Sequence, residues 1–433
     1  MTDPGGAQRA PRRSLSWYLI GAVIVIALLS VGATLGRPAA VVPSSPVAGT
    51  AVTMAGPTTP PIGIAATPAS DSPTTPAAAA AASPATTATS TAAPLAPART
   101  PKPVRTATPV PTPRPTLVPT ATPVPTPRPT AAGSLPSSID ATGTRDASAA
   151  LISFLKTVPD GSTILFQAGG VYRMDSALRL AGRHNLTFEG NGATLKSNGG
   201  TTEASSLFWI GRGSDIIVRD FHLVGNSPTP GVYQRSREGA HGVLIDGSRD
   251  VEVANVTVSG VWGDCFYVGS WADTILIRDS SCQSSGRNGV TITAGRNVTV
   301  ERVAFPKSGY CTFDVEPNRS TEGATNILFR NNTAGTFGQD FVAVDGSHTG
   351  APINGITISA NTITGKTLFT IIDNGGTARM QNIVFTNNKS TVAGNGPVLR
   401  FAHIDGLTVT GNVQPLKSGP LASITDSTGV TYP

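Results

Sequence analysis

Between His241 and Asn318 the sequence repeats itself about every two dozen residues, and that repeat narrows the folds open to the chain. Set turn over turn, HGVLIDGSRDVEVANVTVSGVWGD is followed by CFYVGSWADTILIRDSSCQSSGR, then NGVTITAGRNVTVERVAFPKSGYC, then TFDVEPN. Val243, Phe266, Val290 and Phe313 fall in one column, and Ile245, Val268, Ile292 and Val315 in the next but one. Strand side chains alternate, so Leu244, Tyr267, Thr291 and Asp314 point the other way. A second strand sits inside every period (VEVANVTV, ILIRDSSC, VTVERVAF), as in a solenoid of stacked turns. The fold expected is all-β, a single-stranded right-handed parallel β-helix, and counting second strands from NLTFEGN to GLTVTGN gives about nine to ten turns.

The repeat covers only part of the 433 residues. Basic residues 1–16, which hold Arg9, Arg12 and Arg13, precede the uncharged apolar run 17–36, long enough to span a bilayer as a signal-anchor. Cleavage after Ala33 is the alternative, and would secrete the protein. Residues 37–137 are Pro, Thr, Ala and Ser with almost no large apolar side chains, and ATPVPTPRPT occurs in them twice. Such a stretch buries no core and reads as a disordered, semi-rigid stalk. The expectation is a single-pass protein with residues 138–433 folded outside the cell membrane.

The formal charge of +6 invites a nucleic-acid partner until it is divided. Residues 1–137 carry nine Lys/Arg against Asp3 and Asp71, which leaves 23 basic and 24 acidic residues for 138–433. The folded part is nearly neutral, so no nucleic-acid binding is expected of it. Cys265, Cys282 and Cys311 lack metal-ligand spacing, and Cys282 shares an inward column with Leu223, Val258 and Phe305, so a buried free thiol is expected there.

Asp146 reads as an N-cap for a helix over 147–158 that presents Ala150, Leu151, Phe154, Leu155 and Val158 and plugs the open end of the solenoid. Asn191, Asn332, Asn361, Asn388 and Asn412 share one register position and are expected to hydrogen-bond as an inward ladder. The Asn-x-Ser/Thr triplets at Asn185, Asn255, Asn297, Asn318, Asn331 and Asn388 fall mostly in the repeat and are not read as glycosylation signals.

The order of capping helix, GSTILFQAGGVYRM and NLTFEGNGATL resembles the start of the pectate lyase and polygalacturonase superfamily, the pectin-lyase-like β-helix proteins, over residues 139–433. In such proteins the substrate cleft runs along the outer face of one sheet, here the strands beginning HGVLID, CFYVGS, NGVTIT, TFDVEP and FVAVDG. The resemblance stops short of the catalytic patterns. GDCF at 263–266 is similar to the stretch bearing paired aspartates but has Gly263 in one place, GRNG at 286–289 lacks the family's His, and no Arg-x-Lys follows.

On that face the residues leading into the strands are His241, Asp264, Arg287 and Asp340, and turns about 4.8 Å apart place His241, Asp264 and Arg287 side by side. Asp314 and Glu316 are two apart on one strand, with Cα atoms about 6.5–7 Å apart. That separation suits an inverting glycosidase, and with Asp345 or Asp246 it suits Ca²⁺ under a lyase reading; otherwise no cofactor or metal is expected. Arg287 is expected either to neutralise a uronate, to act as a base, or to pair with Asp264. Tyr233, Trp262, Tyr267, Trp271 and Tyr310 are candidate sugar platforms, and the long loops 226–240, 318–325 and 347–354 border the same level. The expected function is binding and hydrolysis of a polysaccharide or cell-surface glycan, with a lyase and a non-catalytic rod for adhesion or envelope structure as the alternatives. Asp264 and Asp314, pointing outward, are expected to matter little for stability.

Overall fold

A computed structural model describes residues 131–433 except 347–349, 374, 376 and 377. The signal-anchor and nearly all of the stalk lie outside the described residues. Among the described residues no helix is long and apolar enough to cross a membrane.

Two stacks of parallel strands carry the repeat. One is a ten-stranded sheet running from Leu178–Ala181 to Ala422–Thr425, one strand per turn; the other joins the second and third strands of each turn. Every pairing joins a strand to its counterpart a turn away, as a parallel β-helix requires. Val243, Phe266, Val290 and Phe313 pair rung to rung, as do Ile245, Val268, Ile292 and Val315, and all eight are fully buried. Phe313 and Phe329 stack inside the coil at 4.6 Å. The inward columns expected from the sequence are thus the core.

The corner after the ten-stranded sheet explains much of the remaining sequence. Asn185, Asp215, Asp250, Asn297, Asn326 and Asn382 occupy equivalent positions there with positive φ, Gly355, Gly406 and Gly429 share the row, and Thr274 is its one exception in residue type. Asn, Asp and Gly are the residues that tolerate this left-handed conformation. Asn255 and Asn331 have the same conformation at the next corner, so four of the six Asn-x-Ser/Thr triplets mark turns.

The asparagine ladder forms as expected. Asn361 Oδ1 accepts the Asn332 N–H at 2.9 Å and its Nδ2 donates to Phe329 O at 3.1 Å, while Asn388 and Asn412 repeat the pattern. Asn191 bonds Phe166 O by itself.

Four expectations need correction. The helix spans Ser148–Leu155, shorter than 147–158, and Ala150 on it is exposed. Asp146 lies one residue before the N-cap position, yet its carboxylate accepts the Ser148 N–H at 2.9 Å. Leu151 and Leu155 still bury against the first turns and close that end of the core. Strand Ala131–Ser134 pairs with Ser162–Leu165, so the fold is under way before residue 138. Lastly, Cys282 is no free thiol: it forms a disulfide with Cys265, and Cys311 is the buried free cysteine. Cys265 precedes its strand, Phe266–Gly269, and so lies in the bend where side-chain alternation has not begun.

Candidate functional site

The residues two before six consecutive strands of the ten-stranded sheet, Phe208–Gly211 to Val342–Val344, form a buried polar column. Backbone hydrogen bonds stack Ser206, His241, Asp264, Asn288, Cys311 and Asp340 in that order. All six are almost completely buried, and along the first five each side chain serves the next turn. Ser206 Oγ accepts the His241 N–H at 3.1 Å, His241 Nδ1 accepts the Asp264 N–H at 3.1 Å, Asp264 Oδ1 accepts the Asn288 N–H at 2.8 Å, and Asn288 Oδ1 accepts the Cys311 N–H at 2.9 Å. The Cys311 thiol then faces Asp340 Oδ2 at 3.8 Å. This spine satisfies backbone donors where the chain bends into each strand, and burying them otherwise is costly.

The spine fixes the protonation of His241. Its Nδ1 is an acceptor, so a neutral ring carries its proton on Nε2. Burial, with the Arg287 charge adding to it, takes the imidazole down to about 3, so it stays neutral in the fold.

Arg287 stands one column before the spine, beside Gly263 and Tyr310, rather than in line with Asp264. The true register mate of Asp264 is Asn288. Arg287 nonetheless reaches back: Nη1 is 3.3 Å from Asp264 Oδ2, Nη2 pairs with Glu316 Oε1, and Nε is 3.4 Å from Glu238 Oε2. Burial works against the guanidinium charge, and Glu316, Asp264, Asp314 and Glu238 more than offset it. Burial also raises the carboxyls of Asp264 and Glu316 above their usual range, against the pull of Arg287. The pairing expected of Arg287 is therefore present, with two further acids around it.

Outward orientation does not mean exposure here. Asp264 is 0% and Asp314 4% exposed, so neither is a solubilising charge on a bare sheet, and the exposure from which a small part in stability was expected is absent. Asp314 Oδ2 accepts from Asn288 Nδ2 at 3.1 Å, which ties it to the spine. Glu316 is the more open carboxyl of the pair, with 27% of its side chain exposed.

Three of the five aromatic candidates gather at this level. Tyr267 stacks on His241 at 4.7 Å and its hydroxyl meets Thr293 Oγ1 at 3.1 Å. Tyr233 and Tyr310 lie 4.9 Å apart, and the Tyr233 hydroxyl donates to Glu238 at 2.7 Å. All three rings are half-buried. Trp262 is buried beneath Arg237 and offers no open platform. Trp271 belongs elsewhere: it follows the C-terminal end of its strand and donates to Thr321 O at 2.7 Å. Among the described residues no group of three or more His, Cys, Asp or Glu side chains is placed to hold a metal ion.

Residues 241–413 match the family model described as the right handed beta helix region. The fold of this domain is a right-handed parallel β-helix. No curated protein matches the chain. Among solved structures, an exopolygalacturonase from Thermotoga maritima is 12% identical, with a TM-score of 0.47 over 69% of this chain and 92% of that one. The surface adhesin PfbA of Streptococcus pneumoniae is 14% identical, with a TM-score of 0.42 over 67% of this chain and 96% of that one. An α-1,3-glucanase of Streptomyces thermodiastaticus is 13% identical, with a TM-score of 0.37 over 68% and 67%. Likeness at this level carries no argument about activity in this β-helix.

Two residues of the cluster escape a reading by columns. Asn288 is visible only by counting back from the strands, since Asp264 and Asn288 each stand two before the paired Phe266 and Val290. Glu238 belongs to an insertion outside the repeat and has no column to mark it.

Proposed function

We propose that the domain binds a polysaccharide along the outer face of the ten-stranded sheet. The observation that carries this reading is the pair of half-buried rings Tyr267 and Tyr310 on the coil at the level of the partly exposed Glu316, with the half-buried Tyr233 ring of the insertion laid on Tyr310. Aromatic faces suit the apolar faces of sugars, and a carboxylate beside them suits their hydroxyls.

Hydrolysis is the chemistry this face supports within that reading. Glu316 is held toward its protonated form by burial, as a general acid needs, and Asp314 stands two residues before it, on strand Phe313–Val315. His241 and Asp264 are left out of the catalytic assignment because the spine occupies Nδ1 of one and Oδ1 of the other. Arg287 acts as a positioning residue that orients Glu316. The competing reading, a non-catalytic rod for adhesion, is favoured by the same saturation of Asp264 and Arg287.

The proposal includes an extracytoplasmic domain tethered through residues 17–36. The Cys265–Cys282 disulfide supports an oxidising compartment, since cytosolic thiols are kept reduced.

The test is a panel of plant, algal and bacterial glycans offered to the full-length protein, reading binding, new reducing ends and unsaturated-uronate absorbance separately. Binding that weakens in Tyr267→Ala and Tyr310→Ala, with reducing ends that fall at least about 10²-fold in Glu316→Gln, is the expected result. Binding without product leaves the rod, uronate absorbance indicates elimination, and no binding to any glycan sinks the proposal.

A further inference from the structure

The cluster around Arg287 is covered by an insertion between two strands, Ser214–Val224 and Val243–Asp246. Its two ends are sewn to the coil by backbone hydrogen bonds: Gly225 and Ser227 N–H to Ser259 and Gly260 O at 2.8 and 2.9 Å, and Gly263 N–H to Ala240 O at 2.9 Å. Between Ser227 and Ala240 the backbone bonds among the described residues stay within the insertion, Val232 N–H to Thr229 O and Arg237 N–H to Gln234 O. What holds this middle part to the coil is side chains. Lys307 Nζ donates to Pro230 O at 3.0 Å, Tyr233 lies on Tyr310, the Arg237 guanidinium lies 4.7 Å above Trp262, and Glu238 pairs with Arg287.

The path of the insertion shows in the glycines beneath it. A Cβ on Gly263 would come within 2.3 Å of Glu238 O, and one on Gly309 within 3.0 Å of Tyr233 N, so the segment passes directly over two turns of the coil. The side chains under it are the ones an outer-face ligand has to reach: Arg287 is only 13% exposed.

We propose that residues 228–239 form a strap that lifts from the ten-stranded sheet as a unit, with the Glu238–Arg287 ion pair as its latch. The physical ground is the contrast between ends and middle. Backbone ladders fix the ends, whereas the middle is joined to the coil through side chains, among them an ion pair whose acid is 39% exposed, a lysine–carbonyl bond and ring contacts. Glu238 is the most exposed of the three acids on Arg287, at 39% of its side chain, so it is the partner that leaves at least cost. Its departure turns one edge of the guanidinium, together with Glu316 and the Tyr310 ring, toward the solvent, while Tyr233 moves away with the strap. The functional meaning rests on the glycan reading above: the closed strap covers the floor on which a chain of sugars would lie, and the open strap admits it.

The test uses full-length protein and two readouts that need no ligand. Trypsin cleavage after Arg235 and Arg237, both exposed on the strap, should quicken at least about 10-fold in Glu238→Gln, by the loss of a latch whose removal shifts an opening equilibrium by that factor. Hydrogen exchange should quicken over 228–239 while strands Phe266–Gly269 and Val290–Ile292 keep their wild-type protection. Unchanged cleavage and exchange in Glu238→Gln overturn the latch, and loss of protection in the strands together with the strap overturns its independence. The glycan panel is then run on the same variant. Faster exchange with tighter or faster glycan binding supports both ideas, whereas faster exchange with no binding keeps the strap and removes the glycan reading of the face.

Discussion

Replacing Asp264 by Asn exchanges one carboxylate oxygen for an NH₂ group in the most buried part of the cluster while preserving its shape. The carboxylate is fully enclosed, with Oδ1 accepting the Asn288 N–H and Oδ2 3.3 Å from Arg287 Nη1. An amide keeps one acceptor, and the spine bond to Asn288 claims it. The NH₂ group then faces the Arg287 donors, so a charge-assisted bond is replaced by two donors in opposition. Arg287 keeps Glu316 and Glu238 and is not left as an orphan charge, which holds the loss below the cost of breaking an isolated buried pair. One hydrogen bond to a charged group is worth about 2 kcal/mol, which lowers Tm by about 3 °C in a domain of this size. Thermal melting by circular dichroism, on wild type and variant at one pH, measures it. A Tm within about 1 °C of wild type would mean that Asp264 sits in solvent, and the covered-cluster description would have to be withdrawn.

Three further outcomes follow from the same contacts. Asn361→Ala removes the acceptor for Asn332 N–H and the donor to Phe329 O, two buried backbone groups; at about 1–3 kcal/mol each, Tm should fall by at least about 3 °C, and a smaller fall would deny the ladder its role. Burial holds Glu316 above the ordinary carboxylate range, so the fold favours its protonated form and wild type loses stability as pH rises from about 4 through the raised value. Glu316→Gln lacks this loss, so its Tm relative to wild type should climb between about pH 4 and pH 7; a flat or falling difference refutes the assignment. Replacing Cys265 and Cys282 together by Ala opens a bridge separated by 17 residues in sequence, worth about 3 kcal/mol by chain entropy, and calorimetry should show a matching drop in Tm that reductant reproduces in wild type alone.

The fold was legible where the sequence is periodic, and the site only in part. Ile245, Val268, Ile292 and Val315 announce themselves because strand alternation and turn stacking both act on them, and the Asn ladder because one residue type recurs at one register place. Burial of Asp264 and Asp314 was not legible, since the strap that encloses the cluster is an insertion whose path no repeat dictates. The Cys265–Cys282 bridge was hidden for a related reason: one partner stands outside a strand, where alternation is silent. Trp262, Tyr267 and Trp271 fall within a few residues of each other, yet one is buried, one lines the floor and one packs beyond the strand's far end, because the chain turns a corner between them.

The strand ladders join each turn of this coil only to the turn before and the turn after it, and that has a mechanical meaning. A pull applied to one end meets the turns in single file, so the domain yields by peeling rather than by shearing all its hydrogen bonds at once. A released turn of about two dozen residues pays out roughly 80 Å of chain. The turn closed by Cys265 and Cys282 is different: its 17-residue bridge withholds about 55 Å of that length, making the level of the candidate site the one place where the thread runs short.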